Sequence, residues 1–437
     1  MSARSWLQRL GACLDAAEAT EGDPQDLRNL LFGLYRLLET GTAAVQGAFQ
    51  DLQADDLSDD AQDLGEQLSQ GEYVRPAAPK TLAEGVALAA KLLRGAEQAV
   101  LGLGQATLAP RRAKDLEVGF GDEQGWLLPF RPRFRGEPED WPPYFAKRAL
   151  TRMRCLPREL PTGHRIDLQL LHTVVGNDVA GVACLFDKLS LTDSTGKAID
   201  DKAAGPFVVA QVEGAGQQAI ANSLQLAFDP AAGAAVVIFP ELSISAEDQK
   251  ELQRLIRTTP WDLPLKNPRP AVVVGGSWHD RREDGRHENR APVFGGDGQL
   301  VGRHVKHAVF GTKTPAGVLR EDIVRGEEIL VLVGPDLTAA VAICLDFCQA
   351  GAENPYDHLD VDLVLVTSMA NAGTAKDHGA QAERIWKRRK VATFVAQQSE
   401  AGAGGVCGAN PTPKTDPGFV KEEAASAVVM RRISSSA

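Results

Sequence analysis

Three polar side chains interrupt or end apolar runs in this chain, and between them they could carry one reaction. Glu241 follows AAVVIFP, Lys306 lies in GRHVKHAVF and Cys344 lies in AAVAICLDF. A cysteine that attacks an amide or nitrile carbon must be a thiolate, or lose its proton as it attacks. A neighbouring carboxylate can take that proton and later hand it to a leaving amine. A fixed cation can stabilise the negative charge that builds on oxygen in the tetrahedral intermediate. Singly, each residue has a blander reading: a capping glutamate, an edge-strand lysine with its head in water, an inert core cysteine. Only the set completes a mechanism.

The elements around them read as α/β. From about residue 165, short apolar runs (HRIDLQLLHTVV, GPFVVAQVE, AAVVIFPE, PAVVVGGSW, EILVLVG, AAVAICLD, VDLVLVTS) alternate with helix-like ones (GQQAIANSLQLAF, 246–257, QAERIWKRRK). Continuously apolar strands are expected where both faces of a sheet are covered. Catalytic groups in such folds gather at strand ends. Residues 1–110 read as a helical region, with Leu27, Leu30, Leu31, Leu34, Leu37 and Leu38 at helical spacing and Gly41 as a stop. The acidic run DLQADDLSDDAQDLGEQLSQGE is a solvated helix or a loop. Residues 111–164, rich in Pro, Arg and aromatics, read as an ordered connector in which Trp126, Phe130, Phe134 and Trp141 pack on something. The domain reading is therefore 1–110, 111–164 and 165–437.

With 43% hydrophobic and 24% charged residues, the 437-residue chain can bury full-sized cores in two or three units. A net charge of -11 argues against nucleic acid as the main partner. No run reaches the ~18 apolar residues of a membrane span, and the N-terminus reads as an amphipathic helix and not a signal peptide. The cysteines Cys13, Cys155, Cys184, Cys344, Cys348 and Cys407 form no CxxC or His-rich frame, so reduced thiols, a cytoplasmic location and no metal are the expectation. Cys348 reads as packing beside Cys344. His304 and His307 flank Lys306 and offer a weak metal-site signal, but with no carboxylate nearby in sequence surface or pocket-wall roles are the better reading. No dinucleotide or P-loop frame is present.

The ordered motifs resemble the nitrilase superfamily of carbon–nitrogen hydrolases. VVIFPELSIS resembles its strand–Pro–Glu–Leu signature, GRHVKHAVF its lysine motif and VAICLDF its apolar–Cys–x–Asp nucleophile motif. PVFGGDGQLVGRHVK resembles the hairpin that carries the lysine, with a turn at Asp297–Gly298, and DPGFVKEEAASAVVMRRI resembles the closing hairpin. The likeness spans about 206–433. It implies a nitrilase-like αββα sandwich behind an all-helical N-terminal region. It implies Cys344 as nucleophile, Glu241 as general base and acid, and Lys306 with the backbone N–H of Leu345 as oxyanion support. Glu321 is the best match to a second glutamate, ahead of Glu327 and Glu328. Asp346 would orient local backbone. The implied activity is hydrolysis of an amide or carbamoyl bond in a small molecule, without cofactor, by a homo-oligomer of at least two chains. The runs after Glu241 (Ser-Ile-Ser-Ala) and after Asp346 (Phe-Cys-Gln-Ala) depart from the family pattern, and with them the pocket walls. The first strand of the domain is either FVVAQVE or HRIDLQLLHTVV. The rival reading is a catalytically quiet scaffold whose residues 1–110 bind a protein partner.

Overall fold

The computed structural model describes residues 2–52, 57, 60–102, 124–128, 150–151, 153–172, 178–186, 189–200, 202–227, 235–258, 270–349, 354–369, 372–399, 402–409 and 428–434. The chain forms two compact units, Met1–Pro161 and Thr162–Ala437.

The first unit is helical: α1 (Ala3–Ala19), α2 (Pro24–Glu39), α3 (Ala43–Gln50), α4 (Ala61–Gln70) and α5 (Leu82–Gly102). Short polar residues fix the starts. Ser2 accepts from the Ser5 N–H, Asp23 from Gln25 and Asp26, and Thr42 from Val45, each satisfying an amide that a helix start leaves without an intrahelical acceptor. Proline at the first position of α2 removes one such amide altogether. The second half of the acidic run forms α4, which ends at Gly71 in the left-handed conformation. The leucines of α2 are buried with Trp6, Leu10, Leu14, Val86 and Leu93 in one core, and the Trp6 indole donates to the Leu37 carbonyl at 2.9 Å. The described part of the expected connector up to Pro161 belongs to this unit. Strands β1 (Gly125–Leu128) and β2 (Arg154–Pro157) pair antiparallel, and Leu127, Met153 and Cys155 enter the helical core. Trp126 is buried with Arg158 over its ring; Phe130, Phe134 and Trp141 lie outside the described residues.

The second unit is built on two sheets. Its strands are β3 (Arg165–Leu170), β4 (Asp178–Cys184), β5 (Ser190–Thr192), β6 (Gly205–Phe207), β7 (Gln211–Glu213), β8 (Val236–Phe239), β9 (Val272–Gly275), β10 (Trp278–Arg281), β11 (His287–Gly295), β12 (Leu300–Val305), β13 (Gly311–Thr314), β14 (Gly317–Glu321), β15 (Glu328–Val333), β16 (Thr338–Ile343), β17 (Leu363–Met369), β18 (Ala392–Ser399), β19 (Gly402–Ala409) and β20 (Val428–Ser434). One sheet runs from β12 through β11, with β10 and β9 sharing its other side, to β8, β4 and β20. The other has the order β19-β18-β17-β16-β15-β3. The sheets face each other, β18 against β4, β17 against β8 and β12 against β15. Helices α6 (Gln217–Ala227) and α7 (Ala246–Thr258) pack together, with α6 against β4 and β20, and α9 (Ala372–Arg389) packs on β18 and β19. This is the expected αββα sandwich. Its inner strands are buried along their whole length (β8, β9 and β16) because both faces are covered.

Three strand assignments differ from expectation. HRIDLQLL forms β3, but at the edge of the second sheet, parallel to β15. FVVAQVE is not one strand: it splits into β6 and β7, which lie outside both large sheets. The strand beside the glutamate strand is β4, DVAGVAC, which the sequence concealed behind two alanines and a glycine of low strand propensity. The small residues have a packing reason. A Cβ on Gly181 would meet the Phe394 ring of the other sheet at 2.5 Å, so glycine is what lets the sheets close there.

Candidate active site

The site starts from a row across three neighbouring strands. In the β10–β11 pair, His279 stands directly opposite Asn289. On the other side of β11, the Lys306 N–H donates to the Asn289 carbonyl at 2.9 Å. Lys306 follows β12 immediately, so the expected lysine hairpin is present, turned at Asp297–Gly298 with Gly298 at φ +74°. Residues opposite one another on adjacent strands share a face of the sheet. His279, Asn289 and Lys306 are all buried, and they converge on two carboxylates.

Glu241 sits past the end of β8, followed by Leu242 at φ +53°. A left-handed leucine is strained, and such strain persists only where surrounding contacts impose it. Here the Leu242 N–H donates to Ser277 and the Ser243 hydroxyl to the Pro240 carbonyl. Glu241 Oε1 accepts from Asn289 at 3.0 Å and from Lys306 Nζ at 2.7 Å, and Oε2 accepts from the Met369 N–H at 3.1 Å. Glu321 ends β14. Its Oε1 accepts from Asn289 at 2.9 Å and His279 Nε2 at 2.8 Å, and its Oε2 accepts from Lys306 Nζ at 2.8 Å and the Phe310 N–H at 3.1 Å. A carboxylate offers about four lone-pair directions. Glu321 has all four engaged; Glu241 has three, which leaves one on Oε2 among the described residues.

Electrostatics follow the same division. Burial opposes the Lys306 charge, but Glu241 and Glu321 outweigh it and hold the ammonium well above its ordinary value. Burial likewise raises Glu321, and the Lys306 charge with the His279 hydrogen bond reverses that and holds the carboxyl well below the usual carboxylate range.

Cys344 ends β16 in a turn with φ +48°, ahead of the short helix α8 (Leu345–Cys348). Its N–H donates to the Thr367 carbonyl at 2.8 Å, and its own carbonyl accepts from His378 Nε2 at 3.1 Å. Asp346 fixes the turn from inside, accepting from the N–H groups of Ile343, His307 and Ala308. Burial and the Glu241 charge push the Cys344 thiol well above its ordinary value, while Lys306 and the Ser368 hydroxyl pull the other way. The resting group is therefore a thiol, and nucleophilic attack needs a base. Leu345 opens α8, where helix amides have no intrahelical acceptor. Cys348 is buried and its thiol pushed up to about 12, chiefly by burial, as expected of a packing residue.

Glu241, Lys306, Glu321 and Cys344 all line one cavity of about 200 Å³. Among the described residues its apolar walls are only partly those expected. Leu242 contributes from the run after Glu241, but Asp346, Phe347 and Cys348, next to the nucleophile, are buried in the turn, and Trp278 backs the wall from behind. Leu191, Ile199 and Phe207 come instead from the segment between β4 and α6, and Phe310 and Leu319 from the region of the β13–β14 hairpin. Strand β6 pairs with β14, which joins these two segments into one roof. Exposed Asp200 and Lys313 stand at the rim.

The fold supplies His304 and His307 with the carboxylate that the sequence did not: with Asp346 they form a buried trio. His304 Nε2 lies 3.0 Å from Asp346 Oδ2. Three backbone N–H groups and this imidazole occupy the Asp346 oxygens, so the trio braces the turns after β12 and β16. Asn289, His279 and His378 were not recognised in the sequence. An Asn among the apolar positions of a long buried strand was the available signal for the first; nothing local marks the others.

No family model and no curated protein sequence matches this chain. Solved structures that resemble it include a member of the nitrilase superfamily, an amidase and a carbon–nitrogen hydrolase. A branch-10 member from Saccharomyces cerevisiae is 14% identical, covering 60% of this chain and 93% of its own, with a TM-score of 0.41. An amidase from Nesterenkonia sp. is 14% identical over the same shares, at 0.39. A carbon–nitrogen hydrolase from Helicobacter pylori is 10% identical, covering 60% and 91%, also at 0.39. At these values the site stands on its own geometry.

Proposed function

We propose that the second unit is a cysteine-dependent hydrolase of a non-peptide carbon–nitrogen bond, of amide or carbamoyl type. The observation that carries this is the cavity floor: a strained-turn thiol beside one carboxylate with an open lone pair and one lysine clamped by two carboxylates. Glu241 takes the Sγ proton as Cys344 attacks the carbonyl carbon. Two of the three Lys306 N–H donors are held by carboxylates, and the third, with the Leu345 N–H, receives the oxyanion. Collapse breaks the C–N bond as Glu241 hands its proton to the leaving amine, leaving a thioester on Cys344. Water then attacks, Glu241 accepts its proton, and the acid departs as the thiol is restored. Glu321, saturated, holds Lys306 and transfers no proton.

Apart from Asp200, Thr312, Lys313 and Thr314 the walls are apolar, and Lys306 already carries two counter-charges, so the acyl group accepted is uncharged. The test is limiting iodoacetamide near neutral pH with peptide mass spectrometry, then ammonia release from hexanamide and succinamate. Selective labelling of Cys344 and preference for hexanamide are expected. An inert Cys344 would refute the enzyme reading.

A second reading concerns the first unit, favoured by its possession of a core of its own. We propose that it recruits or regulates the hydrolase through a protein partner, and that the chain works in the cytoplasm as a homo-oligomer of at least two copies. Among the described residues no helix is long and apolar enough to cross a membrane. Removing the first unit with no change in solubility, assembly or activity would refute the regulatory role; a monomeric mass at micromolar concentration would refute the oligomer.

A further inference from the structure

His279 is a buried titratable side chain in contact with the Glu241–Lys306–Glu321 cluster to which the proposed reaction gives no task. It lies on β10, opposite Asn289, with its ring engaged at both nitrogens. Nδ1 accepts from the Val209 N–H at 2.8 Å. A backbone N–H can only donate, so Nδ1 must be the bare nitrogen and Nε2 must carry the hydrogen. That hydrogen points at Glu321 Oε1, 2.8 Å away. The ring therefore has one tautomer and one orientation, both set by Val209.

Val209 belongs to the segment that roofs the cavity. Two residues earlier Phe207 lines the cavity, its carbonyl accepting from the Asp322 N–H, next to Glu321. Phe207 and Val209 cluster with Trp278, Leu242 and Leu319. The roof reaches the floor through the backbone pairing of β6 with β14, and its side-chain link is this imidazole, which ends on the carboxylate that clamps Lys306.

Resting on the hydrolase reading above, we propose that His279 is a positioning residue: through its Val209-fixed tautomer it orients Glu321, and with it the Lys306 ammonium, and it couples the roof segment 205–213 to that pair. It touches no substrate. A site that must hold a cation close to a developing oxyanion gains from a carboxylate that cannot rotate, and His279 with Asn289 closes both lone pairs of Glu321 Oε1. A purely structural role would need only the tie to Val209. The two arms can be separated by side-chain length. Asparagine at 279 can place an acceptor where Nδ1 lies but ends short of Glu321. Glutamine can reach both, offering an oxygen to Val209 and an N–H to Glu321.

The experiment compares His279→Asn and His279→Gln in the full chain. The readouts are the pH–rate profile of Cys344 alkylation by iodoacetamide, kcat and KM for p-nitrophenyl butyrate, and crystal structures of both variants. H279N, which leaves a buried Glu321 lone pair unpaired, is expected to fold with a somewhat lower melting temperature and to lose roughly tenfold or more in kcat, the scale of one hydrogen bond to a charged group, with a displaced alkylation profile. H279Q is expected to restore both. Equal behaviour of the two variants, or an H279N profile that overlays the parent, would overturn the proposal. The crystal structures decide independently of any activity. Glu321 turned from Lys306 in H279N supports the proposal; Glu321 and Lys306 unmoved overturns it. A parent Cys344 that neither alkylates nor acylates would instead sink the hydrolase reading, leaving the structures to judge His279.

Discussion

Acid should loosen the second unit well before its carboxylates titrate, and two histidines should be responsible. His378, under the Cys344 carbonyl, and His307, beside Lys306, are both pushed down by burial to about 4, from an ordinary value of 6.5. A histidine that resists protonation in the fold but accepts it when unfolded makes the unfolded state the greater proton binder between those values. Stability then falls as the pH drops through 6.5 and levels off below 4. Between pH 7 and pH 5, each such group removes about 2 kcal/mol, or about 4 kcal/mol for the pair if they act independently. The assay is the denaturant dependence of Cys184 labelling, since this thiol is buried between β4 and α6 and opens only when the unit does. His378→Gln removes one titration while keeping a donor for the Cys344 carbonyl, so the loss between pH 7 and 5, compared with the parent at each pH, should shrink by about half. An undiminished loss would show that His378 does not stay neutral in the fold.

Three further outcomes are expected. Glu241→Gln should abolish base-assisted attack and lower turnover of a responsive amide by roughly 10²–10⁴-fold, seen as ammonia release. Glu321→Gln should leave Cys344 accessible to iodoacetamide but lower kcat, since it loosens the cation and not the base; equal losses of alkylation in both variants would erase the division between the two carboxylates. Gly181→Val should destabilise the sandwich by about 1–3 kcal/mol through overpacking against Phe394, and an unchanged denaturation midpoint would mean the sheets do not meet there.

The residues of the cavity floor were legible because Glu241 and Cys344 end apolar strands, where such folds collect polar groups. The order of the motifs did the rest. What stayed hidden was set by pairing across the sheet. That His279 and Asn289 reach the same carboxylate depends on the β10–β11 register, which no local pattern records. Strand β4 was invisible because Gly181 and its alanines were selected for close sheet contact, which erases strand propensity. The pocket roof went unread for a similar reason. Its strands are three to five residues long and draw their order from pairing β6 with β14, more than 100 residues apart.

The Glu241–Lys306–Glu321 cluster also decides between enzyme and quiet scaffold. Taking three charges out of water costs more than their attraction commonly returns, so such a cluster is weak evidence of a stability role. Breaking it and replacing it are different experiments. Lys306→Met leaves two carboxylates facing each other in the interior and should destabilise the unit by about 3–5 kcal/mol. Replacing all three together, Glu241→Gln, Lys306→Met and Glu321→Gln, removes the charges while the amide oxygens can still accept from Asn289 and His279. That variant should lose less stability than Lys306→Met alone, while showing no turnover. If the fold holds these charges for chemistry, stability and activity must part company in this way. A triple variant as damaged as Lys306→Met alone would mean that the cluster holds the sandwich together, and the scaffold reading would then be the better one.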